Sequence, residues 1–495
     1  AGYYLDSSGR RVEFAPIYEG WFGADRYKPN YLRAGLEHVA VFAAELGVYW
    51  FDPDTNIVDW QFPNLGSKLT SREGFRFDDN LLQTNYLFHS FAGSAHYIVS
   101  RSNGFGVGGS FASAAVASAL YEMLFEWKEI VSFNDLIVTP FGGTALGEFA
   151  YHLGNYLNSE PAPALSRAPL ASLAGGGARD VLGGPRTLHD AIDQPPPPPR
   201  VASDNLGLSS AYTHRFRILF GQETVQDERG KVDGVIAFHG SFELVAIPGF
   251  LRPGRFQRWF SNGNFTHWEA RLGYAPGSRD ADLDFGSHLF GWYSQNFETG
   301  PNGGRGYAHE VAFSTSVHFL NQRLAGHDDQ FGIVHLLSPL EQVWMRSGPV
   351  KLRFGVDFSP DFASLHSAAY ELFVQRFGRE GTKSSLHRHG YFHGWGLSAG
   401  ASTALDIDAF EFGARARYGR YESIDGAERV QEEVTREPHG RETVSELAAH
   451  VAFEPPGTPL SAELELARIG RESALGWLNA SRAIRKASIT LGVHF

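Results

Sequence analysis

The sequence predicts a transmembrane antiparallel β-barrel of about twelve strands, formed by residues 214–495, with an N-terminal α-helical domain. Three observations lead there. Stretch after stretch of residues 214–495 alternates apolar and polar side chains at period two, as a wall between lipid and water requires. Aromatic residues reach 14% while hydrophobic residues stay at an ordinary 43%; lipid-facing bands and interfacial girdles offset by a polar lumen give that balance. The last stretch keeps alternating up to a terminal Phe495.

The helical region, residues 1–159, comes first. A helix is predicted from about Asp79 to Arg101, where Asn85, His89, Gly93, Tyr97 and Arg101 recur every fourth residue and share one face, with His96 beside it. A second, Phe105 to Glu129, presents Gly109, Ser113 and Ala117 at four-residue spacing, which permits close helix approach, and ends in Glu122, Glu126 and Glu129. Its stretch from Phe105 to Trp127 is the one segment that approaches the length of a membrane helix. A third opens on the capping pair Asn134-Asp135 and passes through Pro140, Gly142, Gly143 and Gly147 to Glu148 and His152, one turn apart. Trp21, Phe22, Trp50, Phe51 and Trp60 would suit a membrane interface, a place under the barrel mouth or an ordinary core.

Residues 160–213 are rich in Ala, Pro, Gly and Ser. Gly175-Gly176-Gly177 and the run Pro195 to Pro199 mark them as a linker, the latter a polyproline II spacer.

Strands are expected near residues 214–222, 234–245, 264–275, 281–294, 307–321, 331–346, 349–360, 391–407, 409–422, 443–454, 460–469 and 485–495. In one of the clearest, Leu352, Phe354, Val356 and Phe358 take one face, and Lys351, Arg353, Gly355 and Asp357 the other. Val311, Phe313, Thr315, Val317 and Phe319 oppose Ala312, Ser314, Ser316 and His318 in the same way. The stretch 331–346 alternates poorly and holds Pro339, so it is the weakest of the set. An even number of strands places both termini at one end, which for an envelope barrel is the periplasmic end. Segments Phe377 to His389 and Glu422 to Arg441 are then outer loops, and Glu454-Pro455-Pro456-Gly457 is a short turn.

Alternation turns Arg215, Arg217, Glu243, Arg271, Lys351, Arg353, Asp357, Arg415 and Arg417 toward the lumen. Both signs occur, which favours ion pairs across a narrow interior over an ion-selective pore. The net charge of −12 and the lack of a Lys/Arg cluster exclude a nucleic-acid surface. With no cysteine, disulfide frameworks, thiolate metal sites and cysteine nucleophiles are also excluded. A barrel of this kind implies that a leader preceding Ala1 has been removed.

Two resemblances follow from particular residues. The final strand, with Ile489, Leu491, Val493 and Phe495 on one face, resembles the assembly signal of bacterial outer-membrane barrels. The run from Asn85 to Glu148 resembles a Gram-negative envelope family that has no established activity. Its marks here are Asn85, His89, Gly93, Tyr97, Arg101, Glu122, Glu126, Asn134, Asp135, Gly142, Gly143 and Glu148. The resemblances imply a place in the outer membrane, a periplasmic N-terminal domain, and outer-membrane lipids, the barrel-assembly machinery and other envelope proteins as partners. They imply no reaction.

One constellation could carry chemistry. His89 with Glu122 or Glu126 and Asp135 would supply a general acid/base pair, or ligands, if the helices bring them together. The alternative is mutual satisfaction inside a packed helical hairpin, through Arg101 to a Glu and His89 to Asp135. No His-Glu-x-x-His occurs, and no Gly-x-Ser-x-Gly. The sequence therefore leads to the expectation of no metal and no cofactor. Three functions fit: a structural or transport barrel whose helical domain plugs or scaffolds it; an envelope enzyme acting on lipid or another amphiphile through His89; and a binding module of a larger envelope assembly.

Overall fold

A computed structural model describes residues 2–6, 9–14, 29–51, 65–70, 75–126, 131–158, 189, 192, 211–300, 304–324, 327–378, 384–425 and 438–495. Trp21, Phe22 and Trp60 lie outside these residues, as do the side chains of Trp50 and Phe51 and nearly all of the linker.

The helical region contains α1 (Tyr31–Phe51), α2 (Leu65–Thr70), α3 (His89–Ser102), α4 (Val107–Leu120) and α5 (Phe133–Asn158). A π-helical turn at Thr84–Phe88 leads into α3, and another at Tyr121–Phe125 extends α4. Helices α3 and α5 meet through glycines. A Cβ on Gly93 would fall 1.9 Å from the Thr139 carbonyl oxygen, and one on Gly143 would fall 2.4 Å from the Gly93 carbonyl carbon.

Twelve strands form the barrel, each antiparallel to the next: β1 (Thr213–Gln226), β2 (Val232–Val245), β3 (Phe265–Ala275), β4 (Ser278–Glu298), β5 (Arg305–Leu324), β6 (His327–Ser347), β7 (Val350–His366), β8 (Tyr391–Ile407), β9 (Phe410–Ser423), β10 (Gly440–Phe453), β11 (Leu460–Leu475) and β12 (Leu478–His494). Closure is complete, because β12 pairs with β1 from His494 opposite Arg217 to Arg485 opposite Gln226. Pro339 does not break β6. It falls in the irregular stretch between His335 and Leu340, where the register with β7 shifts and a missing N–H costs the ladder least. A short strand, Gly254–Phe260, continues the line of β3 along the other end of β4 and carries the hairpin Gly2–Leu5 with Arg11–Phe14.

Side chains sort by face as period two demands. Phe354, Val356 and Phe358 point outward and are exposed, whereas Arg353 and Asp357 point inward and are paired. The interior is crossed by ion pairs between non-adjacent strands: Arg353 to Glu243 at 3.1 Å, Arg271 to Glu465 at 3.0 Å, Arg417 to Asp357 at 3.0 Å and Arg217 to Glu411 at 3.1 Å. Arg215 also meets Glu411, Arg415 bridges Glu446 and Glu465, and Lys351 lies 3.8 Å from Asp406. Sequence reading did not anticipate two deeper pairs, Lys486 with Asp280 and Arg471 with Glu442 and Asp329.

Apolar side chains gather inside the lumen toward both ends. At the end away from the termini, the segment between β7 and β8 folds into α6 (Tyr370–Phe377) and α7 (Ser385–His389). Tyr370, Phe373 and Leu386 from this segment join the inward-facing Leu320, Phe331, Ile333 and Leu365 in one apolar cluster. At the terminal end, Ile247 and Phe250 turn inward against Phe265, Tyr293 and Trp344. Gln295 fastens that turn, accepting from Leu251 N at 3.0 Å and donating to Arg252 O at 2.7 Å. Between the two plugs, the inward-facing Asp282, His318 and Arg417 border a cavity of about 20 Å³, room for one water molecule.

The helices stand against the outside of this wall. Val138 and Ala145 of α5, with Tyr86, pack on the outward-facing Phe285, Val317, Phe319, Val334 and Phe362. At the terminal end of the wall, Tyr156 meets Phe216 and Leu244. The sequence suggested a helical plug in the periplasmic mouth or a position at the inner leaflet. Among the described helices, α5 and the π turn before α3 lie against the outside of the wall, and loop segments of the barrel pack inside its two ends.

Candidate functional site

The π turn before α3, the first residue of α3 and the first turn of α5 converge at the wall near the end away from the termini. Asp78 precedes the π turn, Asn85 lies within it, His89 opens α3, and Asn134-Asp135 sit in the first turn of α5. The π turn that ends α4 adds Glu122. Close approach at Gly93 and Gly143 is what allows these termini to meet.

The cluster is knit by neutral donors. Asp78 Oδ1 accepts from Asn85 Nδ2 at 2.7 Å and from Asn134 Nδ2 at 2.9 Å. Asn134 Nδ2 also reaches Asp135 Oδ1 at 2.8 Å, so it holds two carboxylates facing each other. His89 Nε2 lies 3.2 Å from Asp135 Oδ1 but is not aligned as a hydrogen bond to it. Glu122 Oε2 accepts from Ser132 N at 2.8 Å and lies beside Asp135. Lys68, fully buried, donates its ammonium protons to the carbonyls of Glu122 and Glu126.

Asp78, Asp135, Glu122, Asn85 and Asn134 are all buried, whereas the His89 side chain keeps a quarter of its surface exposed. His89 is therefore not wholly sealed, although the Nε2 that faces Asp135 is itself buried. The wall supplies the floor. Tyr391 OH lies 3.2 Å from Asn85 Nδ2, and Phe77 stacks on His393 at 4.6 Å. Arg388 on α7 meets Asp79 at 3.0 Å, which ties the lumen plug to the same corner.

Of the residues that sequence reading nominated, the structure brings His89, Glu122 and Asp135 together; Glu126 contributes its carbonyl to Lys68. Asp78 and Lys68 were missed. Neither has helical spacing to His89, since Asp78 lies upstream of the helix and Lys68 on a separate short one. A second polar knot is structural. Arg101 and Glu148, both with no exposed side-chain surface, pair at 2.7 Å, and Tyr97 OH, His152 and Asn262 complete the shell. The positive φ of Gly263, +57°, brings its backbone so near that a Cβ would lie 2.2 Å from Glu148 Cγ.

Residues 74–175 match a family described as a domain of unknown function, DUF3943. This span contains the whole cluster except Lys68. The barrel is a closed ring of twelve antiparallel strands. Solved structures similar to the chain include an OmpT loop-deletion mutant, an outer-membrane protein of Vibrio cholerae, at 7% identity and TM-score 0.23, over 58% of this chain and 100% of that one. An anion-selective porin from Comamonas acidovorans is similar at 6% identity and TM-score 0.21, over 57% and 99%. A Pseudomonas aeruginosa FadL homologue is similar at 8% identity and TM-score 0.21, over 58% and 91%. No curated protein sequence matches the chain.

Proposed function

We propose that this chain is a structural barrel of the outer membrane, closed to solutes, whose wall scaffolds a helical annex within the plane of the bilayer. The carrying observation is the packing of the lumen: apolar clusters toward both ends, ion pairs between them and, among the described residues there, a cavity of about 20 Å³. In this reading the termini lie on the periplasmic side, α6 and α7 close the outer mouth, and the barrel is inserted by the assembly machinery that recognises terminal strands such as β12.

The annex belongs to the lipid layer on two grounds. Its helices cover outward-facing wall residues that would otherwise meet acyl chains. The 19 residues Val107–Phe125 are apolar enough and long enough to cross a bilayer, and Val116, Leu120 and Leu124 there are exposed. Envelope partners would then meet the exposed face of α1, where Leu32, Leu36 and Val39 lie.

Conductance in planar bilayers tests this reading. The full chain and a chain lacking residues 1–200 should both remain silent; stepwise currents from the full chain would overturn it. One observation favours a second reading, an enzyme acting on a membrane amphiphile: the partly exposed His89 ring lies 3.2 Å from Asp135. It predicts turnover of envelope lipid in detergent micelles that His89→Ala abolishes.

A further inference from the structure

Going beyond the scaffold reading, we infer that Asp78, His89 and Asp135 bind one divalent transition-metal cation, of the Zn²⁺ or Mn²⁺ type, with Asn85 as a further oxygen ligand. One ligand atom from each of the three lies within 4.8 Å of the other two. Ligands about 2.1 Å from a common ion are separated by at most roughly 4.2 Å, so a contraction of less than about 1 Å completes the site. Among the described residues, no other trio of histidine and carboxylate atoms gathers so closely.

The second observation is independent of the carboxylates. Asn85 is fully buried, and its Oδ1 has no hydrogen-bond partner although its Nδ2 donates to Asp78. Rotation of the amide by half a turn would replace a donor with an acceptor directly opposite Asp78 Oδ1. Two oxygens facing each other at that distance repel unless a cation lies between them. His89 Nε2 is likewise buried and unbonded while pointing at Asp135 Oδ1, the stance of a ligand pair before the ion arrives.

Charge balance points the same way. Asp78, Asp135 and Glu122 are three buried carboxyl groups, and the ammonium of Lys68 donates to the carbonyls of Glu122 and Glu126. Carboxyl groups brought this close in buried surroundings repel one another, and a divalent ion between Asp78 and Asp135 relieves that repulsion. One imidazole with carboxylate and amide oxygens suits zinc or manganese better than calcium, and thiolate-seeking metals have nothing to bind. Asn134, which donates to both carboxylates, would act from outside the ligand set by orienting them.

The test uses the full chain in detergent, stripped with a chelator and dialysed, then titrated with Zn²⁺, Mn²⁺ and Co²⁺. About one ion per chain is expected, and Co²⁺ should show protein-dependent visible absorption from mixed nitrogen and oxygen ligands. His89→Ala and Asp135→Asn should each weaken binding about a hundredfold or more, with the heat-modifiable gel shift of the folded barrel retained. Wild-type protein that takes up no ion, or variants that bind as wild type, would overturn the site. If a variant fails to fold, the wild-type Co²⁺ spectrum still decides, since a spectrum identical to free Co²⁺ excludes it. Conductance is read separately, so failure of the metal site leaves the scaffold reading standing.

Discussion

Gly332 distinguishes a bare lipid-facing wall from one covered by helices. It lies on β6 between Phe319 and Ser364 of the neighbouring strands, facing outward. A methyl group there would point into the Tyr86 ring, with its carbon 2.2 Å from Cγ, 2.4 Å from Cδ1 and 2.5 Å from Cδ2. Ordinary contact needs about 3.6 Å, so the ring must retreat by more than 1 Å. It has nowhere to go: Tyr86 is fully buried, and its hydroxyl accepts from Ser364 Oγ at 3.1 Å. Overpacking of this kind costs about 1–3 kcal/mol, and because Tyr86 belongs to the π turn leading into α3, the cost falls on the docking of the annex. If Gly332 faced lipid, the sign would reverse, because replacing a strand glycine by alanine gains about 0.5–1 kcal/mol. Gly332→Ala should therefore speed hydrogen exchange five- to a hundredfold in residues 84–102 while leaving β10–β12 unchanged. Unchanged or slower exchange in residues 84–102 would refute the docking of the annex on this wall.

Three further outcomes follow from the same packing. Arg101→Met strands Glu148 without its buried cation and should cost about 3–5 kcal/mol, read as proteolytic release of α3 and α5 from an intact barrel. Phe250→Ala removes the ring that packs on Phe265, Tyr293 and Trp344, and should lower barrel stability by about 3–5 kcal/mol in urea titration. The outer plug should loosen in acid. Burial holds His387 below its ordinary value of 6.5, and burial with the neighbouring Arg388 does the same for His389. A depressed histidine favours the closed form only while neutral, so plug stability falls as pH drops below about 6.5. Hydrogen exchange across residues 370–389 should be faster at pH 5 than at pH 8 after correction for the intrinsic rate, and a pH-independent corrected rate would exclude it.

The strands were legible because a barrel wall imposes period two on every member; each of the twelve stretches read from the sequence contains a strand of the closed ring. What covers the wall was not legible. Phe285, Val317 and Phe319 are outward and apolar whether they meet lipid or α5, and alternation records only that they leave the lumen. The short strand Gly254–Phe260 was missed because its alternation is brief and broken from β3 by Ser261-Asn262-Gly263. At the candidate site, the four-residue spacing of Asn85 and His89 was visible, as were the carboxylates at helix ends. Asp78 joins them only through the fold of an irregular stretch, which has no period to read.

Placement of the polar cluster bears on its purpose. Arg101 and Glu148 lie at the other end of α3, where Glu148 takes two hydrogen bonds from the guanidinium and one from Tyr97 OH. The cluster around Asp135 is built otherwise. It sits at the end of the same helix pair, keeps unbonded atoms on Asn85 and His89, and leaves the histidine a quarter exposed. A pair of helices held only for packing would gain by replacing such residues with apolar ones of the same size, because half-satisfied polar groups at membrane depth destabilise the fold that contains them. Such residues would be favoured there only by something that binds or reacts at that corner. In the scaffold reading, the wall then has one physical task, to hold two helix termini at a fixed separation between lipid and a rigid sheet.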